Sequence, residues 1–334
     1  MLFVAATSVA VYARTIPMPQ NTATVVFASA AKVHPPVRIL AFGDLMLDRH
    51  VRETIDQKGA PYLFSSISTL FSGQDLIVAN AEGVFTDNVS IVTPDDLQFT
   101  FSTTTLPLLK QLGFSFFSQA NNHALNFGWK GLDESKANIV AAGMDSFGDP
   151  ENDNPGPLYR DVNGQHIAFV GYDQFSSTGG SGSSTIAAIE SAKAEGAFVV
   201  VYPHWGVEYN NGTTTLQSEL AHKFVDAGAD VVLGGHPHVI EPIEIYKNKA
   251  IFYSMGNFIF DQPWNDTRHG LGIGLGIGTS TVTYTLYPYE LELMQPTLMQ
   301  GAVEAYYLQG FADSAVADDA TKAAIEKGSF VLQK

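Results

Sequence analysis

Residues 230–240 read DVVLGGHPHVI, and this stretch decides the fold. Val231–Leu233 is a short, apolar, β-branched run, the pattern of a buried strand. Gly234 and Gly235 end it with residues that allow a tight turn and close backbone approach. His236 and His238 follow, one residue apart. Open α/β sheets hold ligands in the crevice beyond the carboxyl ends of their strands, so two imidazoles placed there face a crevice. Alone, the stretch reads equally well as a loop with two solvated histidines. The balance shifts because the arrangement, an apolar strand running into a metal-type ligand, recurs four more times.

Working outward, Arg38–Phe42 (RILAF) precedes Asp44, and Leu76–Ala79 (LIVA) precedes Asn80 and Glu82. Phe114–Gln119 runs into Asn122 and His123, and Phe198–Tyr202 into His204. A later run, Ile251–Ser254, ends near Asn257. Helical spacing lies between these strands at Tyr62–Phe71, Thr105–Leu112, Leu132–Ala142, Ile186–Ala194 and Leu216–Ala227. His166–Tyr172 adds a strand ending at Asp173, and Ser176–Ser184 is a Gly/Ser tract that reads as a flexible loop beside the site. His222, on the last of these helices, reads as a surface histidine. Alternation of strand and helix predicts an α/β fold with layered sheets. Beyond residue 270 glycine alternates with Leu or Ile, a strand with one bare face, and Ala315–Glu326 reads as a terminal helix.

The chain has 334 residues, 45% of them hydrophobic, enough for a large core. It has no cysteine, which excludes disulfides, iron–sulfur clusters and thiol catalysis. A formal net charge of −16 argues against nucleic acid as a partner. Residues Met1–Ala13 (MLFVAATSVAVYA) resemble the apolar core of a secretory signal or membrane anchor. The expected organisation is a signal or anchor remnant with a spacer over 1–35, one domain over 36–300, and a C-terminal extension with a helix over 301–334. The expected location is extracytoplasmic, at the cell envelope, anchored or secreted.

Carboxylate, imidazole and amide oxygen together suit divalent Mn, Fe or Zn. Two such ions about 3.5–4 Å apart can clamp a phosphate. The segments GDLMLDRHV, NAEGVF, QANNHALNFG, YPHWGVEY, GGHPHVI and YSMGNFIFD occur in the order found in the CapA family, the bacterial capsule synthesis proteins associated with poly-γ-glutamate. The chain resembles that family over roughly Arg38 to Asp261. The family is similar to calcineurin-like metallophosphoesterases, which implies a four-layer α/β/β/α sandwich.

The resemblance implies two divalent metal ions. It implies Asp44 and His238 as ligands of the first, Glu82 as a bridging carboxylate, and Asn122, His204 and His236 as ligands of the second. His123 would be the general acid; Arg49, Asn80 and Asn257 would contact substrate or support the ligands. Met46 stands where phosphoesterases of this fold carry a histidine, Glu82 where they carry aspartate, and Asn126 where this family frequently has aspartate. The implied function is a metal-dependent phosphoesterase-type hydrolase in capsule synthesis, acting on an anionic phosphoester or on poly-γ-glutamate. The alternative is a membrane-tethered assembly or export factor that binds metal, polymer or synthase subunits without turnover.

Overall fold

A computed structural model describes residues 34–88, 97–153, 156–177 and 180–334. The apolar segment 1–13, and all of the spacer but its last residues, lie outside them. His34–Lys334 forms one compact unit. Its first part runs β1 (Val37–Leu45), α1 (Arg49–Lys58), α2 (Pro61–Phe64), β2 (Leu76–Ala81), β3 (Val84–Thr86), β4 (Thr100–Ser102), α3 (Leu106–Gln111), β5 (Phe114–Ser118), α4 (Gly128–Ala141) and β6 (Asp145–Phe147). The middle holds β7 (Leu158–Val162), β8 (Gln165–Asp173), α5 (Ser183–Ala194), β9 (Phe198–His204), α6 (Thr215–Ala227), β10 (Val231–Leu233), β11 (Ile243–Tyr246) and β12 (Lys249–Phe252). The last part holds β13 (Asn257–Ile259), β14 (His269–Ile277), β15 (Thr281–Glu292), β16 (Gln295–Leu298), α7 (Gly301–Ser314), α8 (Asp319–Ile325) and β17 (Ser329–Gln333).

Two large sheets dominate the described residues. One has the order β16-β15-β14-β1-β2-β5-β6, with β13 also on β1 and β17 on β15; the other has the order β11-β12-β10-β9-β8-β7. Residues of both sheets, among them Ile39, Ala41, Val200, Tyr202 and Val231, meet in one core. The outer face of the first sheet (Leu40, Phe42) packs on Val51, Leu63, Leu109 and Ile139 from helices. The outer face of the second (Val170, Val199, Val201) packs on Ile189, Leu220 and Phe224. The result is the expected four-layer α/β/β/α sandwich. Strands inside it are covered on both faces, so they read as unbroken apolar runs such as FVVVY.

The site is placed by parallel pairing. β1, β2, β5 and β6 run parallel, as do β8, β9, β10 and β12, so their carboxyl ends share an edge. β1 pairs with β14 as far as Ala41, and with β13 from Asp44, which sets Asp44 beside Asn257. The bare face of β14 is filled: the rings of Phe42 and Tyr287 lie where side chains at Gly272 and Gly274 would be.

Several boundaries differ from the sequence reading. The stretch Tyr62–Phe71 is only α2 and a 3-10 turn at Ser68–Leu70. α4 begins four residues before Leu132. The terminal helix expected at Ala315–Glu326 is broken. α7 ends at Ser314, Val316 donates its N–H to Ile243 and accepts from Ile245, and α8 starts only at Asp319. That strand-like contact with β11 outcompetes helix propensity. The segment 301–334 is woven into the core through Leu308, Phe311, Ile325, Phe330 and Leu332, rather than appended to it.

Candidate metal centre

Asp44 lies at the end of β1, fully buried. Its Oδ1 accepts from Asn80 Nδ2 at 2.9 Å and its Oδ2 from the His236 backbone N–H at 3.0 Å. His238 Nδ1 is 3.4 Å from the same Oδ2. Asp44, Glu82 and His238 each offer a ligand atom within 4.8 Å of the others, a buried group that can hold a metal ion. A second set adjoins it. His204 Nε2 lies 2.9 Å from Asn122 Oδ1 and 3.1 Å from His236 Nδ1. Glu82 touches both sets, because its Oε1 is 3.8 Å from His204 Nδ1. Its other oxygen, Oε2, is buried with no hydrogen-bond partner. An unpaired buried carboxylate oxygen costs about 1–3 kcal/mol, which a cation would offset. The donor set, carboxylates with imidazoles and an amide oxygen, fits divalent Mn, Fe or Zn.

The loop 234–238 explains its own sequence. A Cβ on Gly235 would lie 2.5 Å from Asp44 Oδ1, and one on Gly234 2.0 Å from the Tyr253 carbonyl. His236 and His238 hold φ of 94° and 59°, the left-handed region that costs L-residues roughly 1–2 kcal/mol each. Backbone bonds hold them there: Trp205 N–H to Gly235 O, Gly235 N–H to Pro203 O, and Tyr209 N–H to Pro237 O.

Burial lowers the affinity of His204, His236 and His123 for protons. His204 is held well below the ordinary range by burial and by His236. His236 falls to about 3 through burial and His238. His123 falls to about 4 through burial, against a hydrogen bond that its ring donates to Asn126 Oδ1. Neutral imidazoles are the metal-binding form. Burial pushes the Glu82 carboxyl well up, and Asp44 adds to this. Burial also pushes on Asp44, but His238, His204 and Asn80 outweigh it and hold that carboxyl below its usual range.

The structure thus brings Asp44, Glu82, Asn122, His204, His236 and His238 together. Asn80 joins them, its Oδ1 accepting from Asn121 Nδ2 at 2.9 Å. Asn257 Oδ1 lies 2.9 Å from His238 Nδ1, a partner for an Nδ1–H that leaves Nε2 its lone pair. The His123 ring lies 4.5 Å from the Phe99 ring, tilted 36° to it, and its Nδ1 lies 3.1 Å from both Leu97 O and Asn126 Oδ1. Arg49 lines the cavity but forms a salt bridge with Asp261. Its guanidinium sits 5.0 Å from the Phe99 centroid and 5.6 Å from that of Phe260. Met46, in the place of the missing histidine, is buried and its Sδ accepts from Asp48 N–H at 3.0 Å. His222 pairs with Glu244 at 2.9 Å on α6, away from the ligands.

Sequence reasoning missed four residues around the centre. Asp261 closes the last quoted motif, yet its bond to Arg49 spans 212 positions, which no local pattern reveals. Phe175 covers His236 at 4.2 Å between centroids. It follows Asp173, whose carboxyl accepts the Phe175 N–H, and burial pushes that carboxyl up to about 7. The Gly/Ser tract after it lies partly outside the described residues; Ser176 and Ser177 bond Asn152 and Glu151. Asn121 and Tyr209 carried no signal beyond their neighbours' motifs.

Residues 38–262 match the family described as bacterial capsule synthesis protein PGA_cap. The chain is 34% identical to the PGA biosynthesis protein CapA of Bacillus subtilis over 242 residues, 68% of this chain and 64% of that protein. It is 33% identical to the capsule biosynthesis protein CapA of Bacillus anthracis over 247 residues, 68% of this chain and 60% of that protein. The chain therefore spans under two thirds of the length of either relative. Among solved structures, purple acid phosphatase PPD1 from yellow lupin aligns with 88% of this chain and 53% of its own at 10% identity, with a TM-score of 0.37. The match over 225 residues, carrying the motifs from Asp44 to Asn257, places this chain in the PGA_cap family of bacterial capsule synthesis proteins.

Proposed function

We propose that this protein is a metal-dependent hydrolase of the phosphoester type, serving poly-γ-glutamate synthesis at the cell envelope. The observation that carries the reading is Glu82, a buried carboxylate that touches both ligand sets and has one unpaired oxygen. Asp44, Glu82 and His238 would hold one ion; Asn122, His204 and His236, with Glu82 shared, would hold a second. Bound ions would supply Lewis acidity toward a phosphoryl oxygen. The chain's own residues do the rest. Asn80 holds the Asp44 carboxylate by its amide, and Asn257 orients the His238 ring. Phe175 covers the His204–His236 side and limits water there. His123, neutral at pH 7, has its Nδ1 beside Leu97 O and its ring in the cavity wall. A neutral imidazole of this kind first takes a proton at Nε2 and can then pass it to a leaving oxygen.

A second reading is supported by Met46, because its thioether replaces a nitrogen ligand of the first ion. On that reading the centre binds metal or polymer and the protein assembles or exports poly-γ-glutamate with other envelope components. Metal analysis of purified protein, with turnover of p-nitrophenyl phosphate and its bis ester under Mn, Fe and Zn, separates the two. Stoichiometric metal with turnover supports the hydrolase. Stoichiometric metal with no turnover moves the assembly reading first, and absence of metal affinity overturns the hydrolase and leaves the assembly reading on polymer binding alone.

A further inference from the structure

Glu208, Tyr209 and Trp264 belong to no ligand set, yet they line the same cavity, about 560 Å³, as Asn122, His123 and His238. Tyr209 and Trp264 are 45% and 55% exposed. Their placement is specific. Tyr209 sits at φ 64°, a conformation rare for a bulky side chain. Its N–H donates to Pro237 O at 2.8 Å and its hydroxyl accepts from Gln262 Nε2 at 3.2 Å. The Tyr209 ring meets Trp264 edge-on at 4.8 Å and lies 6.1 Å from the His238 ring. The backbone thus holds an aromatic pair in the open, beside a ligand histidine.

We propose that Tyr209, Trp264 and Glu208 form a cation-selecting shelf, which takes an ammonium group carried by the substrate next to the phosphoryl group at the ligand cluster. This rests on the phosphoester reading above. Aromatic faces attract cations through their ring quadrupole. Glu208 acts with the same sign. The charge of Asp261 is matched by Arg49, whereas Glu208 has no ion-pair partner among the described residues. A neutral group would gain ring contact and nothing from Glu208, and an anion would be repelled.

The test compares p-nitrophenyl phosphorylcholine with p-nitrophenyl 3,3-dimethylbutyl phosphate, its isostere with carbon in place of the quaternary nitrogen. In both, water adds to phosphorus, the bond to p-nitrophenolate breaks and a proton passes to solvent. Wild type should favour the cation about 5–20-fold in kcat/KM, mainly through KM. Trp264→Ala and Glu208→Gln should each lower that ratio several-fold. Equal kcat/KM for the two probes overturns the shelf. If neither probe turns over, the hydrolase reading fails and binding decides the shelf: quenching of Trp264 fluorescence by phosphorylcholine against 3,3-dimethylbutyl phosphate, with Trp264→Phe as the blank. Tighter cation binding supports the shelf, and equal affinities overturn it. Phosphorylethanolamine in the same assay separates a primary from a quaternary ammonium, and either binding above the isostere supports the proposal.

Discussion

Glu82→Gln should stabilise the metal-free protein and remove most of the stabilisation that metal gives wild type. In metal-free protein the Glu82 carboxylate is buried beside Asp44 with Oε2 unpaired. The amide keeps the shape and has no ionised form, so it escapes the cost that burial and Asp44 impose on an ionised carboxyl. Relief of an unsatisfied buried group is worth about 1–3 kcal/mol. The compact unit runs from His34 to Lys334. With an unfolding entropy of about 2.1 cal/mol/K per residue over roughly 300 residues, each kcal/mol moves Tm by about 1.6 °C. The variant in EDTA should therefore melt about 2–5 °C above wild type. With metal at a hundred times its Kd, wild type should gain about 2.7 kcal/mol, or roughly 4 °C. The variant should gain little, because it lacks the shared carboxylate. Scanning calorimetry with EDTA and with Mn or Zn reads both effects, and elemental analysis reads the ion count. A variant destabilised in EDTA, or one that keeps the full metal-induced shift, would refute the role given to Glu82.

Three further outcomes follow from the geometry. Gly235→Ala forces a Cβ to within 2.5 Å of Asp44 Oδ1; it should cost about 1–3 kcal/mol as an overpacked site and lower metal occupancy, read by urea midpoints and elemental analysis. Asp261→Ala removes a buried salt bridge to Arg49, the two side chains being only 9% and 4% exposed; a loss of about 1–3 kcal/mol is expected, and a neutral result in urea melts would show the pair to be solvated. Glu241 is buried with Oε1 unpaired and Oε2 accepting from Gln217 at 2.6 Å, and burial pushes its carboxyl up to about 8. A raised folded pKa means its contribution is whole below the unfolded value near 4.5 and is lost as pH rises toward 8. Wild type should therefore lose about 4 kcal/mol relative to Glu241→Gln between pH 4.5 and 8, and parallel profiles would sink the assignment.

The fold was legible where local sequence and burial agree. β1, β2, β5, β9 and β10 are covered on both faces, so each is an apolar run, and each hands its carboxyl end to a residue of the buried polar cluster. That rule found Asp44, Glu82, Asn122, His204 and His236 without any knowledge of pairing. It failed where structure depends on distant partners. β17 is an edge strand with alternating burial that exists through its pairing with β15. β11 is fixed by β12 and by Val316. Arg49 looked like a spare anion contact because Asp261 is remote in sequence.

Backbone strain gathers around the site for a physical reason. Among the described residues ten that are not glycine have positive φ, and four of them, Arg49, Tyr209, His236 and His238, line or form the centre and its cavity. Propensity rules describe residues that sit where their own backbone prefers. A side chain aimed into the cluster or its cavity must point there whatever its backbone prefers, and the surrounding bonds, such as His236 N–H to Asp44 and Tyr209 N–H to Pro237, hold it there. Strain of this kind persists only while the contacts that impose it persist. The loop 234–238 should therefore be the first part of the second sheet to loosen when Asp44 is removed. Hydrogen exchange of Asp44→Ala should show faster exchange at the His236 amide, with Val231–Leu233 still protected; equal exchange along the whole stretch would mean that Asp44 supports the strand rather than the loop.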